Sequence, residues 1–453
     1  MVASLALASG TALAAEAGSP GIGDPYYPTD GNGGYDVANY DVNVSYDPPS
    51  QHLDGTTKIA ARATQALDRF NLDLHKLNVR SVTVDGEPAQ FSRAGDHELV
   101  VNPKDQLSQD EAFDVEVVYD GKPEPIEDSV GTGGWQTSQS GGAFAAGQPH
   151  SASAWYPVND HPRDKAKFHL AARVPEGWKV VSNGTERNTG TANGWTTSEW
   201  ASENPMASYL TTIGVDRWDV RRSQLSDGTP VVDAYAPGAE AAERNERRLP
   251  EILDFLSSKF GEYPHASAGG IFLADPIGFS LETQTRPVYT VKADLETIVH
   301  EQAHQWYGDS VSIDKWRDIC QNECFASYAQ WMWQEEKEGQ NLDQKYRDAV
   351  RTESPEFWSG KLVDMGQGKE FTSVYDKGQL AVHALRRQIG EPAFDRVLKE
   401  WPQLHRNGNA HWEQFEQLTE RISGQDLDGF FQQWFHGDRI PSDQYLWPGP
   451  LNP

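Results

Sequence analysis

The residues best suited to chemistry lie in one short run, Val299-His300-Glu301-Gln302-Ala303-His304-Gln305-Trp306. His300 and His304 are four apart. On a helix that spacing puts both imidazoles on one face, where they can share an ion. Neutral imidazole is a strong zinc ligand. Glu301 adjoins the first histidine, so its carboxylate reaches a water at the ion without being a ligand. A catalytic zinc takes three protein ligands and keeps a fourth position open. Glu323 stands nineteen residues after His304, within Asn322-Glu323-Cys324-Phe325-Ala326. A second helix packed on the first would bring its carboxylate to the same point. The expected centre is therefore one zinc per chain, held by His300, His304 and Glu323. Glu301 would act as the base that takes a proton from the attacking water and returns it to a leaving amine. The H-E-x-x-H pattern alone arises by chance in many helices; the added Glu gives the metal reading its weight.

Such side chains need a rigid frame, and the chain supplies two kinds. From 35 to 217 the sequence carries short strand-like runs, including YDVNVSYD, TKIAARATQ, FDVEVVYDG and KFHLAARVP, with turn signals such as Asp85-Gly86 between them. This half reads as an N-terminal antiparallel β domain. From 218 to 445 the period becomes helical, in LPEILDFLSSKFG, LETIVHEQAHQWYG, NECFASYAQWMWQEEKEG and GQLAVHALRRQIG. Within it, GGIFLA and RPVYTV are candidate strands ahead of the His-bearing helix. The expected class is α+β and multidomain, with a mainly helical catalytic half. Residues 16–34, rich in Gly, Pro and Asp, read as a flexible leader. Residues 446–453 read as a C-terminal tail.

Composition bounds the partners. At 453 residues, with 37% hydrophobic content and 15 Trp, the chain can bury more than one core. A net charge of −28 argues against nucleic acid, whose phosphates need clustered Lys and Arg. No stretch after the first residues has the length of a membrane span. Residues 1–15 resemble the later part of a secretory signal, with Ala12-Leu13-Ala14 as the cleavage site, and a secreted, extracellular protein is expected. The two cysteines, Cys320 and Cys324, are four apart on an expected helix, a geometry that does not readily close a disulfide. They read as small buried thiols, with the fold resting on burial and metal.

Taken together the motifs resemble the gluzincin aminopeptidases, the family of aminopeptidase N, from about Tyr35 to Trp434. That family's H-E-x-x-H-x-W-x-G-x-x-V pattern appears as His300, Glu301, His304, Trp306, Gly308 and Val311. Upstream, Gly147-Gln148-Pro149 precedes Ala154-Trp155-Tyr156-Pro157 and Asn159-Asp160-His161-Pro162, and Gln148 matches a glutamine lining the first substrate pocket. Gly278-Phe279-Ser280-Leu281-Glu282 stands where the family has G-A-M-E-N. The resemblance therefore implies substrate-binding roles for Gly278, Glu282 and Gln148, with Glu282 taking the free α-amine. Tyr375, in Ser373-Val374-Tyr375-Asp376-Lys377-Gly378, matches the tyrosine that donates to the tetrahedral oxyanion. The resemblance implies a thermolysin-like catalytic domain and an aminopeptidase acting on peptides with a free N-terminus. Many relatives continue into a large helical domain; this chain reads as a short form with a more open site.

The departures cluster beside the third ligand. Cys320, Gln321 and Cys324 replace an aromatic, an aliphatic and a glycine, Gln302 replaces an aliphatic, and Thr283 replaces the asparagine after the amine-binding Glu. Unpaired polar groups or gaps near the metal are the expected cost. Two other readings stay open on these grounds: an endopeptidase, should Glu282 not bind an amine, and a peptide-binding pseudoenzyme.

Overall fold

The computed structural model describes residues 16–239 and 242–452. The signal-like residues 1–15 lie outside the described residues.

An eight-stranded sheet dominates the first half. Its long strands are Tyr35–Asp47, His52–Ala63, Ala112–Gly121, Ala166–Pro175 and Trp195–Met206. The pleat is legible in the sequence: along His52–Ala63 every second side chain is buried. Asp85-Gly86 and Asn193-Gly194 both take positive φ and close two-residue hairpins, as a type I′ turn requires. The half is not wholly antiparallel, as the sequence reading had it. Tyr35–Asp47 pairs with Ala166–Pro175 in parallel. The chain between them supplies four more strands of this sheet and strands of two others, so the parallel pair is joined by no direct turn.

The expected flexible leader is a correction. Glu16–Ala17 adds a strand beside Leu67–Asp73, and Asp24, Tyr26, Tyr27 and Asp30 are buried. The Tyr26 hydroxyl donates to Asp364 Oδ1 at 3.0 Å, and the Tyr27 hydroxyl to Glu370 Oε1 at 2.9 Å. Asp24 accepts the backbone N–H of Trp316 at 2.9 Å. Gly, Pro and Asp here build tight turns that seat two aromatic anchors. The last residues are likewise packed rather than trailing: Leu446 and Leu451 are buried, and the Tyr346 hydroxyl donates to the Leu446 carbonyl at 2.6 Å.

The second half opens with strands, not helix. Asp219–Gln224 and Pro230–Tyr235 form a hairpin that joins Ala268–Phe272 and Val288–Tyr289 in a four-stranded sheet. The first is a largely exposed edge strand carrying Arg, Ser and Gln, which hides it from a hydrophobic-period reading. The two candidate strands GGIFLA and RPVYTV do form the rest of this sheet. Helices Leu295–Ala303, Cys320–Glu338 and Asp376–Ile389 pack beyond it.

Aromatic side chains fill the space behind the histidine-bearing helix. Trp306 and Tyr307 pack on Phe260, Tyr307 stacks on Phe325, and Phe325 meets Phe415 at 4.9 Å between centroids. Trp306 and Tyr307 follow His304 in sequence, and Phe325 follows Glu323. The same burial that stabilises the half therefore fixes the two segments that carry candidate ligands.

Candidate metal centre

The helix Leu295–Ala303 starts at an Asp294 cap whose carboxylate accepts the Thr297 N–H at 2.9 Å. His300 and Glu301 lie in its last turn. His304 is the C-cap residue, still in helical conformation, so the four-residue spacing keeps both imidazoles on one face. Glu323 projects from the first turn of the crossing helix Cys320–Glu338.

These three side chains meet. His300 Nε2 lies 3.0 Å from His304 Nε2 and 3.2 Å from Glu323 Oε2, and His304 Nε2 lies 3.4 Å from the same oxygen. Ligands about 2.0–2.1 Å from a tetrahedral zinc stand ~3.3 Å apart, so the spacing fits that ion. His304 Nδ1 faces the Tyr307 carbonyl at 2.9 Å, which places the ring proton there and leaves Nε2 as a lone-pair donor. His300 is 8% exposed; His304 and Glu323 are 1%. Burial alone would raise the Glu323 carboxyl, but the two imidazoles outweigh it and hold the group below the usual carboxylate range.

Two more carboxylates share the volume. Glu282, Glu301 and His304 offer ligand-type atoms within 4.8 Å of one another. Burial pushes both carboxyls up, Glu301 strongly; the neighbouring acids add to the rise and His304 opposes it. Glu282 is fixed through its Oε1, which accepts the Tyr209 hydroxyl at 3.0 Å. Its loop is pinned by Arg286, fully buried, which donates to the carbonyls of Val232, Ser182, Gly184 and Ala268. Thr285 there takes φ +69°, an uncommon conformation for a β-branched residue. It is held by its own N–H to Gln305 Oε1 at 2.7 Å, while its hydroxyl accepts the Gly184 N–H at 2.8 Å. Backbone strain and a buried Arg thus set where Glu282 sits.

Tyr375 is the N-cap of the helix Asp376–Ile389, with its ring 5.9 Å from that of His300 and 38% exposed. Gly278 lies in an open left-handed turn of the loop that also carries Glu282. Gln148 is half-buried with Oε1 lacking a hydrogen-bond partner, and it makes no hydrogen bond to the His300–Glu323 group. Sequence reasoning missed Tyr209 and Asp309. Asp309 is fully buried, with both oxygens unpartnered. Neither residue carries a local pattern that singles it out.

The sequence expectation for the cysteines is corrected. Cys320 and Cys324 form a disulfide within the Glu323 helix, across a separation of four. Their Cα atoms are 4.8 Å apart, inside the range a disulfide spans, which the rule applied to a generic helical face missed. The feared unpaired polar groups are largely served. Gln302 Nε2 donates to the Gly269 carbonyl at 3.2 Å and to the Tyr289 hydroxyl at 3.1 Å, and Gln321 Nε2 donates to the Ala410 carbonyl at 3.2 Å. Gln302 and Gln321 each keep one unpartnered carbonyl oxygen.

Comparison with known proteins covers the segments that carry this geometry. Residues 270–434 match the Peptidase family M1 domain, and residues 37–210 match the Peptidase M1 N-terminal domain. A probable aminopeptidase 1 of Saccharolobus solfataricus is 23% identical over 88% of this chain and 53% of its own length. Aminopeptidase N of Streptomyces lividans is 25% identical over 61% of this chain and 36% of its own. The chain thus spans about half or less of these curated relatives. The crystal structure of an M1 zinc metallopeptidase from Deinococcus radiodurans superposes with a TM-score of 0.85 at 26% identity, covering 93% of this chain and 98% of that one. With both halves matched in order, the chain belongs to peptidase family M1.

Proposed function

We propose that this protein is a zinc-dependent metallo-aminopeptidase that releases N-terminal residues from peptides. The observation that carries the reading is charge balance. Glu282, Glu301 and Glu323 place three carboxylates in one buried volume with two imidazoles. Buried charges persist only when matched. A divalent ion at His300, His304 and Glu323 and a substrate ammonium at Glu282 supply three positive charges against three negative ones.

His300, His304 and Glu323 would hold the zinc, which when bound acts as a Lewis acid on the scissile carbonyl and makes water acidic enough to attack. Glu301 accepts the proton of the attacking water and passes it to the leaving amine. Burial raises its carboxyl, the direction that suits a group that must hold a proton between two steps. A phenol keeps its proton at neutral pH, and burial together with the Glu323, Glu301 and Glu282 carboxylates pushes that of Tyr375 further up, so it can donate to the oxyanion. Glu282 binds the substrate α-amine and so limits cleavage to one residue from the end. A Deinococcus M1 structure is described as bound to a Tyr-Ser-Ala substrate, which supports a peptide at this fold's site.

Extracellular location is part of the proposal. It is supported by the signal-like start and by the Cys320–Cys324 disulfide, which persists in oxidising compartments. No helix among the described residues is long and apolar enough to cross a membrane.

The test is hydrolysis of aminoacyl-p-nitroanilides, before and after chelation, with zinc add-back and with N-acetylated counterparts. Chelator-sensitive release from free-amine substrates alone is expected. Cleavage of blocked peptides would point to an endopeptidase, and bound zinc without turnover to a binding protein.

A further inference from the structure

The β half holds a second concentration of ionisable groups that the peptidase chemistry does not use. A cavity of about 570 Å³ is lined by six carboxylates, Asp30, Asp73 and Asp160 among them, against Lys76 and three histidines. Lys76 is already paired with Glu124 at 2.9 Å.

Beside this cavity, Asp73 and Glu98 stand directly opposite each other on the antiparallel strands Leu67–Asp73 and Glu98–Asn102. Like charges in that position repel. Both residues are buried, at 1% and 7% exposure. Asp73 Oδ2 is satisfied by Asn32 Nδ2 at 3.1 Å and the Asp160 N–H at 2.8 Å. Asp73 Oδ1 and both Glu98 oxygens have no hydrogen-bond partner. His97 Nε2 approaches them at 3.8 and 3.9 Å, beyond hydrogen-bond range; it faces the Thr29 carbonyl at 3.2 Å, a bond the ring must give up to turn a lone pair toward an ion. Asp160, itself buried, lines the cavity with one more unpartnered oxygen.

One ion between Asp73 and Glu98 answers the unpartnered oxygens of that pair. We propose that Asp73, His97 and Glu98 bind a divalent metal ion at a second site, separate from the His300 centre. Their candidate ligand atoms lie within 4.8 Å of one another, a span that ligands about 2.0–2.6 Å from a shared ion can close. One imidazole among carboxylate oxygens suits Mn²⁺ or Zn²⁺ better than Ca²⁺. A single shared proton is the alternative: it would relieve the Asp73–Glu98 repulsion but leave the second Glu98 oxygen without a partner. Burial pushes the Glu98 carboxyl up to about 7 and Asp73 well above its ordinary value; a cation between them would favour the ionised form of both. The His97 side chain keeps 30% exposure, which gives an ion a path from solvent. Asn32, which donates to Asp73 Oδ2 at 3.1 Å, belongs to the leader, so an ion on Asp73 would tie that segment to the sheet.

Metal content of the purified full chain tests this. Protein stripped with chelator is dialysed against MnCl₂ or ZnCl₂, and metal per chain is measured for wild type, Glu98→Gln, His97→Ala and Glu323→Ala. Wild type is expected to hold one equivalent more than Glu98→Gln and His97→Ala. Glu323→Ala should keep that equivalent, whatever becomes of the His300 centre. The thermal midpoint of wild type should rise with the metal and that of His97→Ala should not; partly exposed, His97 can be truncated without loss of the fold. Equal metal content in wild type, Glu98→Gln and His97→Ala would overturn the proposal and leave the pair holding a proton.

Discussion

Replacing Glu282 by Gln isolates the origin of free-amine selectivity. The amide keeps the shape of the side chain and can still accept the Tyr209 hydroxyl, which now lies 3.0 Å from Oε1. Only the charge is lost. An ammonium about 4 Å from a carboxylate gains ~4 kcal/mol at an effective dielectric of ~20. Desolvating both groups offsets part of this, and a charged hydrogen bond nets ~1.5–3 kcal/mol. The expected loss in kcat/KM on a free aminoacyl-p-nitroanilide is therefore ~10- to 150-fold. The N-acetylated counterpart, poor with wild type, should lose nothing. A second signature follows from the neighbouring base. Glu282 helps to raise the Glu301 carboxyl, so its neutralisation should move the acid limb of the pH–rate profile to lower pH. Equal losses on free and blocked substrates, with an unmoved acid limb, would refute the reasoning and reduce Glu282 to a structural acid.

Other outcomes follow from the same coordinates. Glu301→Gln should retain zinc by elemental analysis and lose measurable turnover; persisting activity would remove Glu301 as the base. Intact mass under non-reducing conditions should fall two hydrogens short of the reduced chain, because Cys320 and Cys324 are joined. Gly378→Ala should destabilise by ~1–3 kcal/mol in chemical denaturation, as overpacking does. Its new Cβ would lie 2.9 Å from Cys324 Sγ and 3.2 Å from Cys324 Cα, forcing the Tyr375 helix away from the Glu323 helix, so kcat should fall as well. Asp164 is pushed up to about 8 by burial and by Asp36. It holds a proton in the folded state that the unfolded chain has released. Stability contributed by that proton is present below about 4 and lost as pH rises toward 8, at up to ~1.4 kcal/mol per pH unit. Asp164→Asn should flatten the thermal midpoint over that window; an unchanged pH dependence would count against the assignment.

The metal centre was legible because its signal is local. His300, Glu301 and His304 need only the helical repeat to share a face, and Glu323 needs only the next helix. Glu282 and Tyr375 were reachable through resemblance, since a lone loop Glu or helix-start Tyr carries no pattern of its own. Tyr209 was missed because its role exists only through a contact 73 residues away in sequence. The acidic cavity escaped for the same reason: Asp30, Asp73, His97 and Asp160 come from separate segments that only the sheet register brings together. The hairpin at Asp219–Tyr235 was overlooked because its edge strand is polar on both faces. The leader was misjudged because turn-rich composition says how a chain bends, not what it bends against.

That leader imposes an order on biogenesis. Tyr26 and Tyr27 find their acceptors 338 and 343 residues later in the chain. At ~5–20 residues per second of synthesis, these groups wait roughly 20–70 s before Asp364 and Glu370 exist. Until then two apolar rings lack their seat, and the nascent β half carries an open seam. The Tyr26–Tyr27 seam, made well before its acceptors, thus locks late, and its docking reports completion of the catalytic half. Refolding should show the same sequence, with quenching of the aromatic environment at the seam lagging behind sheet formation.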